Sequence, residues 1–165
     1  INKEALKVFR ENCTNEDIVL QVENLVNDSK KIENKKPLED FIISDYNNNE
    51  TSINSIINNN KAVIYFWSTE YMSTEYLAKR IQYLEKKHPS VLFIGINIQP
   101  EAINILNEPN LKLLDTTKQY KLTSNSKAHK FLTSKYPRTI IVNKNGIVEN
   151  GFAYLDSRKF YKTLN

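Results

Sequence analysis

The residues of this chain that could do chemistry are few, and their spacing excludes most of it. Cys13 is the only cysteine, so no internal disulfide can form and no neighbouring pair of thiols can exchange electrons with a substrate. His88 and His129 lie far apart, and with one sulfur they make no cluster with the ligand spacing of a structural zinc site. Tyr71, Ser73 and Thr74 bring hydroxyls together, but no general base is spaced to activate Ser73 or Thr74 as a nucleophile. No paired acid and base marks an acid–base site either. Hydroxyls placed just ahead of an apolar helical repeat have a simpler use, which is to cap that helix.

The remaining composition narrows the classes further. Lys and Arg total 23 against 19 Asp and Glu, a net charge of +4, with lysines mixed among acids along helix faces. That reads as a solvated surface, and no basic block is interleaved with aromatics as a nucleic-acid groove requires. No apolar run is long enough to span a bilayer. The chain opens on Ile1 and not on Met, which reads as a processed or trimmed piece whose signal or anchor would lie upstream.

The elements that must position these residues follow from periodicity. Residues 1–36 read as a helical, polar N-terminal extension. Ala5, Leu6 and Phe9 suggest a first short helix. Thr14 with Asp17 predicts an N-cap, and Ile18, Val22, Leu25 and Val26 a helical stripe behind it. Residues 37–60 read as a strand pair or loop: Phe41, Ile42 and Ile43 are apolar, Asn47 to Asn49 turn the chain, and Ile53, Ile56 and Ile57 recur at helical spacing.

Ala62 to Trp67 is apolar throughout, as a strand buried on both faces must be. A helix is predicted from about Met72 to Lys87 with Leu77, Ile81 and Leu84 inward, stopped by Pro89. Val91 to Ile98 is a second buried strand, so a parallel crossover is expected. Glu101 to Leu106 reads as a short helix, Leu111 to Leu114 as extended, and Ala128 to Leu132 as helical. Thr139 to Val142 is a strand, and Asn145-Gly146 predicts a hairpin returning through Ile147, Val148 and Phe152. Asp156 or Ser157 caps a last helix carrying Phe160, Tyr161 and Leu164.

Three segments of this order resemble the thioredoxin-like superfamily, in its TlpA/ResA-like, redoxin-related bacterial branch. Ala62 to Thr74 (AVIYFWSTEYMST) is similar to the apolar strand ending in Phe-Trp and the redox loop after it. Tyr136 to Val148 (YPRTIIVNKNGIV) is similar to the cis-proline loop and hairpin. Pro37 to Ile53 (PLEDFIISDYNNNETSI) is similar to the opening strand and turn. The resemblance covers residues 37–165 and implies an α/β thioredoxin-like fold: a mixed central sheet flanked by helices, here with the helical extension in front. It also implies a periplasmic or cell-envelope location and a cis peptide bond at Tyr136–Pro137.

The departure lies in the chemistry. Counting on from Trp67, the family's Cys-x-x-Cys becomes Tyr71-Met72-Ser73-Thr74. A phenol titrating near 10 and a threonine hydroxyl form no analogue of the disulfide. No cofactor is expected, and the implied function is a non-catalytic module that binds an extended peptide or protein in a groove made by Trp67, Tyr71, Tyr136 and Pro137. The alternatives are an enzyme of another kind, using Tyr71 or Ser73 with a thiol cofactor in the manner of glutathione transferases, and a structural domain of a longer envelope protein. Two roles fit Tyr71: a phenol donating to an anionic ligand, or a bulky plug packed on Pro137. Glu70 reads as solvent-facing, Trp67 as core or rim, and Cys13 as a small buried hydrophobe.

Overall fold

Alternation along one apolar run organises the architecture. Residues 62–67 are all buried, and successive side chains point to opposite faces of a sheet. Val63, Tyr65 and Trp67 enter one core, and Ala62, Ile64 and Phe66 another. Two cores on one strand require a sheet covered on both faces.

The computed structural model describes residues 2–101, 107–134 and 138–164. In chain order it gives α1 (Lys3–Asn12), α2 (Glu16–Lys31), β1 (Ile42–Ser44), β2 (Glu50–Ser52), α3 (Ile53–Ile57), β3 (Ala62–Trp67), α4 (Thr74–Lys87), β4 (Leu92–Asn97), β5 (Gln119–Leu122), β6 (Arg138–Val142), β7 (Val148–Ala153) and α5 (Arg158–Leu164). Short 3-10 turns cover Leu111–Leu113, Thr116–Lys118 and Lys127–Phe131.

The seven strands order as β2-β1-β5-β4-β3-β6-β7. β3 and β4 run parallel, with Ala62 opposite Leu92 and Trp67 opposite Asn97, and β4 and β5 are also parallel. β6 joins β3 antiparallel and pairs with β7 across the hairpin. Gly146, at φ 72°, takes the left-handed turn conformation that glycine adopts at no steric cost. This is the mixed sheet with flanking helices and N-terminal helices that the thioredoxin-like arrangement demands.

One face carries α4, whose Leu77, Ala78, Ile81 and Leu84 lock onto Tyr65, Trp67 and Phe93, with Phe160 and Leu164 of α5. The opposite face holds Phe41, Phe66 and Phe131, ring centroids 5.8 to 6.2 Å apart, with Ile43, Ile94 and Ile140.

Several expectations need correction. The cap of α2 is Asn15, not Thr14: the Asn15 side chain accepts from the Ile18 amide. Leu111 to Leu114 is not extended; Leu111–Leu113 forms a 3-10 turn that buries Leu111 against α4 and leaves Leu113 outside. β5 carries the sequence QYKL, whose polarity gives no strand signal; pairing with β1 and β4 makes it a strand. Cys13 is half-exposed at the C-terminus of α1, a helix that buries none of its residues. Ser157 caps α5, accepting from the Phe160 amide. The helix expected over Glu101 to Leu106 and the cis bond expected at Tyr136–Pro137 lie outside the described residues.

α2 is tied into the sheet by a buried charge. Asp28 is fully buried, and its carboxylate accepts from the Thr133 amide (2.9 Å), the Thr133 hydroxyl (2.6 Å) and the Ser134 amide (2.8 Å). The Asp28 carbonyl accepts from the Arg138 guanidinium at 3.1 Å, and that guanidinium also donates to the carbonyls of Gly151 (3.0 Å) and Phe131 (2.9 Å). Thr133, Ser134 and Arg138 thus all bond to Asp28 of α2.

Candidate functional site

The carboxyl ends of β3 and β4 form the edge where open α/β sheets place their ligands. From there the chain turns at Ser68, whose carbonyl accepts from the amides of Tyr71 (3.2 Å) and Met72 (3.3 Å). This turn sets Tyr71 and Met72, both half-buried, at the start of α4. Ser73 is the N-cap: its hydroxyl accepts from the Tyr76 amide at 3.2 Å, satisfying one of the helix's open donors.

A cavity of about 380 Å³ opens here. Phe66 and Thr139, from adjacent strands, reach it from the sheet. Tyr71, Met72 and Tyr76 form the wall on the α4 side, and Tyr154 and Asp156 the wall after β7. The Tyr76 hydroxyl donates to the Asp156 carboxylate. Arg80 pairs with the same carboxylate at 3.0 Å and donates to the Leu155 carbonyl.

Both phenols of the α4 wall are held in the neutral form. Burial pushes Tyr71 up from its ordinary value, and the charge of exposed Glu70 adds to this. Burial, and then the bond to and charge of Asp156, push Tyr76 up to about 12. At neutral pH the groove therefore presents phenol hydroxyls and aromatic faces, not phenolates.

Thr74 points to a different partner. Its hydroxyl donates to Glu108 at 3.0 Å, and the Asn110 side-chain NH2 donates to both Thr74 (3.2 Å) and Glu108 (3.1 Å). The sequence offers no base near Thr74, yet the fold brings a carboxylate to it. Asn110 shares that carboxylate oxygen, and neither Thr74 nor Glu108 lines the cavity. A carboxylate at the first turn of α4 also complements the helix dipole.

Of the residues singled out from sequence, Tyr71, Met72 and Ser73 come together at the cavity, while Thr74 lies beside it. Trp67 does not reach the groove: at 1% exposure it belongs to the core beneath α4. Tyr136 and Pro137 lie outside the described residues. Sequence reasoning missed Tyr76, Tyr154 and Asp156 as walls of one groove. Tyr76 follows Tyr71 closely, on the first turn of α4, but Tyr154 and Asp156 are remote in the chain and no spacing rule connects them to it. No group of three or more His, Cys, Asp or Glu side chains among the described residues is placed to hold a metal ion, and no described helix is long and apolar enough to cross a membrane.

No protein-family model matches the sequence, and no curated protein matches it. Solved structures do match. A candidate thiol–disulfide oxidoreductase from Bacteroides vulgatus superposes with a TM-score of 0.63 at 19% identity, covering 81% of this chain and 96% of its own. A candidate thiol:disulfide interchange protein DsbE from Chlorobium tepidum gives 0.62 at 11% identity, covering 81% and 96%. A thiol–disulfide oxidoreductase from Bacteroides fragilis gives 0.58 at 16% identity, covering 79% and 100%. At these identities the likeness is one of fold. The chain has the thioredoxin-like fold of TlpA- and DsbE-like thiol–disulfide oxidoreductases, and its single cysteine, Cys13, leaves the Cys-x-x-Cys pair absent.

Proposed function

We propose that this chain is a non-catalytic thioredoxin-fold module that binds an extended segment of a partner protein, working in the bacterial cell envelope beside the redox-active proteins it resembles. One observation carries the reading. Counting on from Trp67, the first three of the Cys-x-x-Cys positions, Tyr71, Met72 and Ser73, line an open groove of about 380 Å³ together with Tyr76 and Tyr154. Aromatic and methionine side chains make adaptable apolar contact, and tyrosine hydroxyls add hydrogen bonds at the rim. The neutral state of Tyr71 and Tyr76 suits recognition and disfavours a phenolate nucleophile. In this reading, as the resemblance implies, Tyr136 and Pro137 contribute to the same binding surface, with an extended segment pairing by strand addition.

The test has two arms. Insulin reduction with a dithiol reductant is expected to proceed at the reductant-only rate, with or without Cys13→Ser; faster reduction that survives Cys13→Ser would sink the redox-inactive reading. A pool of random hexapeptides titrated against the chain is expected to shift the Met72 methyl resonance, and Tyr71→Ala to weaken that binding about tenfold. A Met72 signal unmoved at millimolar peptide would remove the groove as a binding site.

A further inference from the structure

Tyr154 lines two cavities, the Tyr71 groove and a larger one of about 650 Å³ on the other side, against α2. The second is walled by Ser29, Glu33 and Asn34 on one side and by Asn150, Phe152 and Lys159 on the other. Asn150 is 2% exposed, and its side-chain nitrogen has no hydrogen-bond partner among the described residues. A buried donor left unmade is costly, which marks it as a group that requires an explanation.

The chemistry of the cavity is donor-rich. The Asn150 side-chain oxygen accepts from the Phe152 amide (3.2 Å), and the Asn34 oxygen from the Gly151 amide (2.9 Å). These bonds fix which end of each carboxamide is nitrogen, leaving a buried NH2 on Asn150 and an exposed one on Asn34. Lys159 adds an ammonium with no ion pair among the described residues. Beneath Phe152, 4.4 Å from its ring centroid, lies the buried Arg138 guanidinium. Against these stand the exposed Glu33 and the Ser29 oxygen, whose proton already goes to the Val26 carbonyl.

The cavity is also a dead end. β7 is an edge strand, and the segment after α2 covers it: Lys35 N–H to the Val148 carbonyl (2.7 Å), Val148 N–H to the Lys36 carbonyl (2.9 Å), and Leu38 N–H to the Gly146 carbonyl (2.9 Å). With Asn34 on Gly151, this edge is occupied from Gly146 to Gly151. An extended segment leaving the Tyr71 groove over Tyr154 and Phe152 meets Asn34 and can go no further along β7.

We infer that this second cavity receives the C-terminal carboxylate of the extended segment, with the Asn150 and Asn34 NH2 groups and Lys159 as its donors. The inference rests on the groove reading above and adds the direction of the segment and the chemistry of its end. A chain terminus fits a blocked edge, and a carboxylate fits unpaired donors.

The probe is a pool of N-acetylated random hexapeptides made twice, with free C-terminal carboxylates and as C-terminal amides, titrated into the labelled full chain. The free-acid pool is expected to shift both the Met72 methyl and the Asn150 side-chain NH2 resonances and to bind about tenfold more tightly than the amide pool. Asn150→Asp keeps the acceptor for Phe152 and replaces the donor; Lys159→Ala changes an exposed residue. Each is expected to erase the tenfold preference while Met72 still responds. Equal binding of both pools, with Met72 shifted and Asn150 unmoved, would overturn the carboxylate site and leave the groove reading standing. Amidated peptides that shift Asn150 through an internal Asp or Glu would overturn the assignment to a chain end. Met72 unmoved by either pool would overturn both.

Discussion

Asp28→Ala isolates the element that joins the N-terminal helices to the sheet. The substitution removes a fully buried carboxylate and strands the Thr133 amide, the Thr133 hydroxyl and the Ser134 amide. It also removes the charge that offsets the buried Arg138 guanidinium, whose hydrogen bonds among the described residues go to neutral carbonyls. Each hydrogen bond to a charged group contributes about 1.5–3 kcal/mol, and water entering the vacated space recovers part of the total. The expected loss is about 3–5 kcal/mol, the range for breaking one side of a buried charged constellation. At this chain length that lowers the melting temperature by about 6–20 °C. Asp28→Asn keeps the shape and one acceptor and is expected to lose about half as much. Urea unfolding followed by circular dichroism measures both, with an unchanged denaturant slope expected. A loss below about 1 kcal/mol for Asp28→Ala would show that α2 is not anchored through this carboxylate.

Alkaline stability follows from the tyrosines. Burial pushes Tyr46 up to about 12 and raises Tyr65 and Tyr71 as well, so the folded state holds protons that the unfolded state releases near pH 10. That stability is present below about pH 10 and is lost as pH rises toward 12; urea midpoints at pH 8, 10 and 11 are expected to fall, less steeply in Tyr46→Phe, and identical slopes in both proteins would contradict it. Gly95→Ala places a methyl 2.1 Å from the Gln119 side-chain oxygen and 2.7 Å from the Tyr65 hydroxyl, which accepts a bond of 2.8 Å from Gln119. About 2–3 kcal/mol is expected to be lost, with partial recovery in the Gly95→Ala, Gln119→Ala double variant; equal losses in the single and double variants would show that the clash lies elsewhere. Ser73→Ala removes the cap of α4 and is expected to lose about 1 kcal/mol in the same unfolding assay, an unchanged midpoint arguing that the cap is dispensable.

The sequence by itself determined the elements whose signal is local. Ala62 to Trp67 is apolar at every position, so it had to be a doubly covered strand, and Leu77, Ile81 and Leu84 had to face the sheet. Asn-Gly specified the hairpin through backbone sterics, and the lone Cys13 excluded an internal disulfide by arithmetic. Tertiary structure decided whatever depends on distant partners. QYKL becomes β5 only because β1 and β4 offer it ladder bonds on both sides. Trp67 is core, not groove, because α4 and the 3-10 turn at Leu111 close over that face. Tyr71 acquires Tyr154 and Asp156 as neighbours, Thr74 acquires Glu108, and Asp28 acquires residues 133–134, through contacts spanning tens of residues. Polar side chains carry no periodic signal of their own, and where their partners lie is set only when the apolar elements have been packed.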